Sequence, residues 1–179
     1  MKKLLMVIPL VFLLCLTFGC QDKETMAELE EFKAQAAVEE QNKDIVKRYW
    51  NGKWNERRPE VLDELQTSDV VYHGTSMQMN NLEEYKQVYS SFLSAFHDTK
   101  ITIDEIIAEG DKVMTRVTLS GVHKGELEGM PPTGNAATMR AFTVFRLVDG
   151  KIVEEWEIID ELAMMMAIGM ELKPKVGEN

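Results

Sequence analysis

Three side chains in the second half of the chain could carry a reaction: Asp160, His123 and Arg116. In an extended run, side chains alternate between faces, so Ile152, Glu154, Trp156, Ile158 and Asp160 are expected to share one face. If Trp156 points into a core, Asp160 does too. A carboxyl group beside indole in apolar surroundings loses water, which raises its pKa and makes it a better base near neutral pH. The same aspartate also stands just before Glu161 and Leu162, where it could cap a helix. His123 and Arg116 are the natural donors to an enolate or carbonyl oxygen. Being seven residues apart, they face opposite sides of a regular strand; both turn inward only if a bulge intervenes, and Gly121 is where one is expected. Otherwise His123 is a surface residue at a loop end and Arg116 forms an ion pair on the outer face. His73, His97 and His123 are far apart and lack the close spacing of a metal site, so no metal and no other cofactor is expected.

The elements that would position these groups follow from periodicity. Thr25-Met26-Ala27-Glu28 has capping-box form and opens a helix expected to run to Asn51, with Gly52 as its stop. Its first half is highly charged; its second half carries Ile45, Val46, Tyr49 and Trp50 at helical spacing. Pro59 suits the first turn of a short helix through Leu65, and Val70 to Gly74 reads as a strand ending in a turn. From Asn81 a second long helix is signalled by a polar cap, the acidic first turn Glu83-Glu84, and an apolar face that includes Tyr85, Tyr89, Phe92 and Phe96. After His97-Asp98 the period changes to two over Lys100–Ala108, Lys112–Val122, Ala136–Val148 and Lys151–Asp160. Glu109-Gly110-Asp111 and Asp149-Gly150 form hairpin turns, and a long loop joins Lys124 to Asn135. Helices followed by a meander predict an α+β fold with helices on one face of a curved antiparallel sheet. The methionines at 164–166 read as soft packing around a pocket rim.

Residues 1–19 have the form of a secretory signal: Lys2-Lys3, an apolar run from Leu4 to Phe18, then Gly19-Cys20. The run is shorter than the about 20 apolar residues a spanning helix needs. Leu16-Thr17-Phe18-Gly19-Cys20 is similar to a bacterial lipobox, making Cys20 the expected lipidation site; the alternative is ordinary cleavage with Cys20 a bystander. The expected organisation is a leader over 1–19, a polar helical stalk over 20–38, one domain over 39–172 and a tail over 173–179. The whole chain carries a net charge of −10. Such a surface is repelled by nucleic acid and anionic lipid. The expected location is therefore the cell envelope, with membrane attachment through lipid only.

A set of short pieces resembles a known family. Arg48-Tyr49-Trp50-Asn51, Asp69-Val70-Val71-Tyr72-His73-Gly74, Ala95-Phe96-His97-Asp98, Ala108 to Val113, Gly121-Val122-His123-Lys124-Gly125, Pro132-Thr133-Gly134, Asp149 to Glu154, and Trp156-x-x-x-Asp160 occur in the order of the SnoaL-like polyketide cyclases, also called ester cyclases. These belong to the nuclear-transport-factor-2-like superfamily. The resemblance implies a cone of helices packed into a bent sheet around a central pocket over about residues 39–172. It also implies ring closure by aldol condensation without metal or nucleotide, with the acid/base role falling on Asp160. A small hydrophobic molecule is then the expected ligand, lined by Trp156, Tyr85, Tyr89, Phe92 and Tyr72. Non-catalytic ligand binding is the competing function. A third is an accessory lipoprotein that dimerises, because the run Ala136–Leu147 is apolar on both faces and would leave one uncovered for a homodimer.

Overall fold

The computed structural model describes the backbone of residues 7–171 and 173, and side chains for residues 23–171 and 173. The expected leader and Cys20 lie outside the residues whose side chains are described. Contacts divide the chain into two units, residues 1–38 and 39–179. In the first, the backbone from residue 7 onward is helical, and Met26, Leu29 and Phe32 are exposed. Thr25 therefore starts no helix: α1 spans Val7–Trp50. Among the described residues no helix is long and apolar enough to cross a membrane.

In the second unit, the end of α1 buries Ile45, Val46, Tyr49 and Trp50. The tyrosine and tryptophan rings meet Phe145 edge-on at 5.4 and 5.6 Å. Gly52 does not stop this helix. The chain continues through a π-helical turn, Asn51–Asn55, and the glycine serves close packing: a Cβ there would lie 2.8 Å from Val61 Cγ2. Then follow α2 (Glu60–Leu65), β1 (Gln66–His73), β2 (Gln78–Met79) and α3 (Leu82–Ala95). Asn81 caps α3 by accepting from the Glu84 amide at 2.9 Å, satisfying a donor that the helix itself cannot.

The remaining strands are β3 (Phe96–Glu109), β4 (Lys112–His123), β5 (Ala136–Val148) and β6 (Lys151–Ile159), followed by α4 (Glu161–Ala167). The sheet order is β2-β1-β6-β5-β4-β3. All neighbours are antiparallel except β1 and β6, which run parallel. The sheet is thus mixed rather than wholly antiparallel and stays open, with β2 and β3 as its edges. β3 starts four residues earlier than periodicity suggests, because Asp98 at φ +53° absorbs a register shift between His97 and Lys100.

One register shift decides which side chains face the helices. Arg146 pairs with Glu154 but Leu147 pairs with Ile152, leaving Val153 as an extra residue in β6. A bulge of this kind reverses the alternation beyond it. Ile152, Glu155 and Glu157 are consequently all buried, while Ile158 is 70% exposed.

Candidate functional site

Because of that bulge, Asp160 and Trp156 do not enter the interior as the regular alternation implies. Trp156 lies on the opposite face, stacked on His73 at 5.4 Å with the planes 9° apart. Beside them, Glu154 accepts from Arg146 Nε and Nη2 at 3.0 and 2.8 Å and meets His73 Nε2 at 2.9 Å. Arg146 first and His73 second hold the Glu154 carboxyl below its ordinary pKa. Asp160 is exposed, and its Oδ1 accepts from the Ala163 amide at 3.1 Å. It is the N-cap of α4. Arg116 is also turned outward, because β4 and β5 pair without interruption and Gly121 makes no bulge between them. Its guanidinium binds Glu105 and Asp104 at 3.3 and 3.2 Å.

His123 does face inward. It is fully buried, with Nδ1 near Thr133 Oγ1 at 3.2 Å and its ring 5.4 Å from that of Phe96. Its Nε2 has no hydrogen-bond partner among the described residues, and it reaches the wall of neither cavity described below. The three groups expected to act together are therefore dispersed: one cap, one outer ion pair and one core histidine.

The principal cavity, about 180 Å³, opens between α3, β1, β5 and the start of α4. Tyr72, Tyr85, Tyr89 and Phe92 line it, as does Trp54. Met79, Met139, Met164 and Met165 supply apolar wall, and Leu127 and Glu128 come from the long loop. That loop is held by the Lys124 and Gly125 amides, both donating to the Ala95 carbonyl at 2.9 Å. A Cβ on Gly125 would fall 2.1 Å from the Ser94 carbonyl oxygen, so only glycine allows this approach. A second void, about 10 Å³, lies near Phe96 and Gly121.

Behind the tyrosines lies a buried polar network that sequence patterning did not reveal. Lys53, on the π-helical turn, is 5% exposed and lines the cavity. Its Nζ donates to Tyr85 Oη at 2.5 Å and to Tyr49 Oη at 3.1 Å. The two phenol oxygens are themselves 2.5 Å apart. Tyr49 donates onward to Glu155 Oε2 at 3.1 Å. Glu157 accepts from Tyr72 at 2.7 Å and from Thr143 at 3.0 Å. Tyr89 donates to the Lys53 carbonyl. Glu155 Oε1 and the Trp54 indole N–H are buried without a hydrogen-bond partner among the described residues.

Burial dominates the electrostatics here. It pushes the Glu155 carboxyl up to about 8, against the pull of Lys53. Burial also lowers Lys53, against the fields of Glu155 and Glu157. Tyr49 and Tyr85 are raised well above the usual phenol value by burial and then by the field of Glu155. Tyr72 is raised by burial and by Glu157, and Tyr89 is pushed up to about 12 by burial. Each group is driven toward its neutral form because a low-dielectric interior penalises charge. Phenols that keep their protons serve as donors or as relays. Among the described residues, no three His, Cys, Asp or Glu side chains cluster to hold a metal ion.

Comparison with known proteins fits this architecture. The protein IdmH from Streptomyces antibioticus, assigned as a polyketide cyclase, is 30% identical with a TM-score of 0.64, covering 72% of this chain and 99% of its own. A protein from Jannaschia sp. CCS1, assigned as a SnoaL-like polyketide cyclase, is 25% identical with a TM-score of 0.69, covering 75% and 96%. AclR from Streptomyces galilaeus, assigned as a hydroxylase, is 25% identical with a TM-score of 0.68, covering 76% and 87%. A comparison with curated proteins returns no match. The family model for the SnoaL-like polyketide cyclases matches residues 44–168, a span that holds every strand and the whole cavity wall, and the chain belongs to that family.

Proposed function

We propose that this protein performs acid–base chemistry on a small carbonyl compound held in the cavity, with Glu155 as the terminal proton acceptor. The observation that carries the proposal is the continuous chain from Tyr85 on the wall, through Tyr49, to the buried Glu155. A carbon-bound proton passes to Tyr85 Oη while Tyr85 passes its own proton to Tyr49 and Tyr49 passes one to Glu155. No phenolate accumulates, which suits tyrosines whose pKa values lie far above neutrality. A carboxylate near pH 8 is well matched to accept protons at physiological pH. The Trp54 indole N–H, without a partner among the described residues, is the available donor to the developing oxyanion. Ring closure by an aldol step, as the family name implies, is one use of the enolate so formed. The volume suits a single ring, since about 150 Å³ holds benzene.

The test is exchange of the α-protons of acetophenone in D₂O, followed by NMR. Wild type should accelerate exchange, and Glu155→Gln and Tyr85→Phe should each lose about 10² to 10⁴ of the acceleration. Equal rates in wild type and both variants would sink the proposal. The apolar methionine wall favours a second function, retention of a hydrophobic ligand without turnover. In that case acetophenone raises the melting temperature of wild type and variants alike with no exchange. We further propose that the domain works at the cell envelope, tethered through lipid on Cys20.

A further inference from the structure

A lysine is rarely buried without a carboxylate against it, yet Lys53 has no ion pair among the described residues. Its nitrogen is instead enclosed by aromatic rings. Five centroids, those of Tyr49, Trp50, Trp54, Tyr85 and Tyr89, lie between 4.7 and 5.6 Å away. Two of the three substituent positions on Nζ are used by the Tyr85 and Tyr49 hydroxyls. The third has no hydrogen-bond partner among the described residues, and the residue lines the cavity. As a purely structural group this lysine would be costly, because methionine could fill the same volume without the desolvation penalty.

We propose that Lys53 is a covalent carbonyl-capturing residue, forming an imine with an aldehyde or ketone bound in the cavity. This deepens the acid–base function of the same cavity and rests on it for its proton steps. The neutral Nζ adds to the carbonyl carbon, forming a C–N bond while the carbonyl oxygen takes up the proton lost from nitrogen. Glu155, carrying a proton, delivers it through Tyr49 and Tyr85 to that hydroxyl, which leaves as water. The products are a protonated imine on Lys53 and an ionised Glu155. The cationic imine draws electrons from the neighbouring carbon. The α-proton returns along the same two tyrosines to Glu155, leaving a neutral enamine. Overall, ketone and amine give enamine and water, with no oxidant or reductant consumed, and hydrolysis regenerates the lysine. Desolvation, which lowers the basicity of Lys53, favours the nucleophilic amine.

The experiment is reductive trapping of the full domain with benzaldehyde and sodium borohydride at pH 7, followed by peptide mapping by mass spectrometry. Each unit by which an amine's pKa falls below that of a surface lysine multiplies its reactive fraction about tenfold. The benzyl adduct should therefore appear on Lys53 in excess of that on exposed Lys100 and Lys112. Lys53→Arg should lose that adduct alone while keeping the others. Labelling of Lys53 no greater than that of the surface lysines overturns the proposal, and this readout needs only the wild-type protein. Trapping at Lys53 with no Glu155-dependent proton exchange supports imine formation and removes the acid–base function. Glu155-dependent exchange with no trapping does the reverse.

Discussion

Replacing Glu155 by glutamine separates the cost of burying this carboxyl from everything else in the domain. The folded protein holds Glu155 up to about 8, whereas the unfolded chain titrates it near the ordinary value of 4.5. Between those values the unfolded state has released a proton that the folded state retains. Folding stability therefore falls with rising pH at about 1.4 kcal/mol per pH unit from this residue alone. The contribution is fully present below pH 4.5 and is lost as the pH rises through about 8. Glutamine has nearly the same shape and no such titration. Urea unfolding of both proteins at pH 5 and pH 8 should give similar stabilities at the lower pH. Three pH units later the variant should be ahead by about 4 kcal/mol. Taking the difference cancels the titration of most other groups. Lys53, lowered by burial, has the opposite sign, with stability rising with pH toward 10.5, and it is present in both proteins. A difference that stays constant from pH 5 to pH 8 would refute the argument that burial governs Glu155.

Asp160→Ala should cost about 1 kcal/mol through loss of the α4 cap and leave proton exchange in the cavity unchanged, which exchange NMR and urea unfolding together would check. Cys20→Ser should yield protein that is exported yet released from membranes by buffer without detergent; wild type behaving the same way would remove the lipid anchor. The outer face of the sheet exposes Phe142 and Ile158 at 53% and 70%, and we expect it to pair with a second copy of the chain. Ile158→Lys should then shift the sedimentation coefficient at micromolar concentration from dimer to monomer without lowering stability.

Local signals in the sequence reported local structure well. The Asn81 cap, the acidic first turn of α3 and the two glycine-bearing hairpin turns all lie where short-range chemistry puts them. Tyr85, Tyr89 and Phe92 were readable as cavity residues because they share the apolar face of a regular helix, whereas Tyr72 followed only from the family resemblance. Asp160 and Trp156 were misplaced because one extra residue, Val153, inverts the alternation that links them to Ile152. Nothing in the residue types around Val153 announces a bulge. Glu155 and Glu157 were passed over for the same reason, since on a regular strand they occupy the solvent side. Lys53 was hidden differently. It follows Gly52, which resembles a helix stop, and only the tertiary approach of α2 turns that glycine into a packing contact and the lysine inward.

The pairing of β1 with β6 has a consequence for how the chain comes to be folded. β6 lies between β1 and β5, so the strand made last is the one that joins the two parts of the sheet. Until residues 151–159 leave the ribosome, β1 has only the two-residue β2 beside it, and β5 presents a bare edge. Closure must also span most of the domain's length, and contacts between residues so distant in sequence form slowly. A nascent chain of this design cannot complete its sheet until β6 has been made, so its two halves wait for each other.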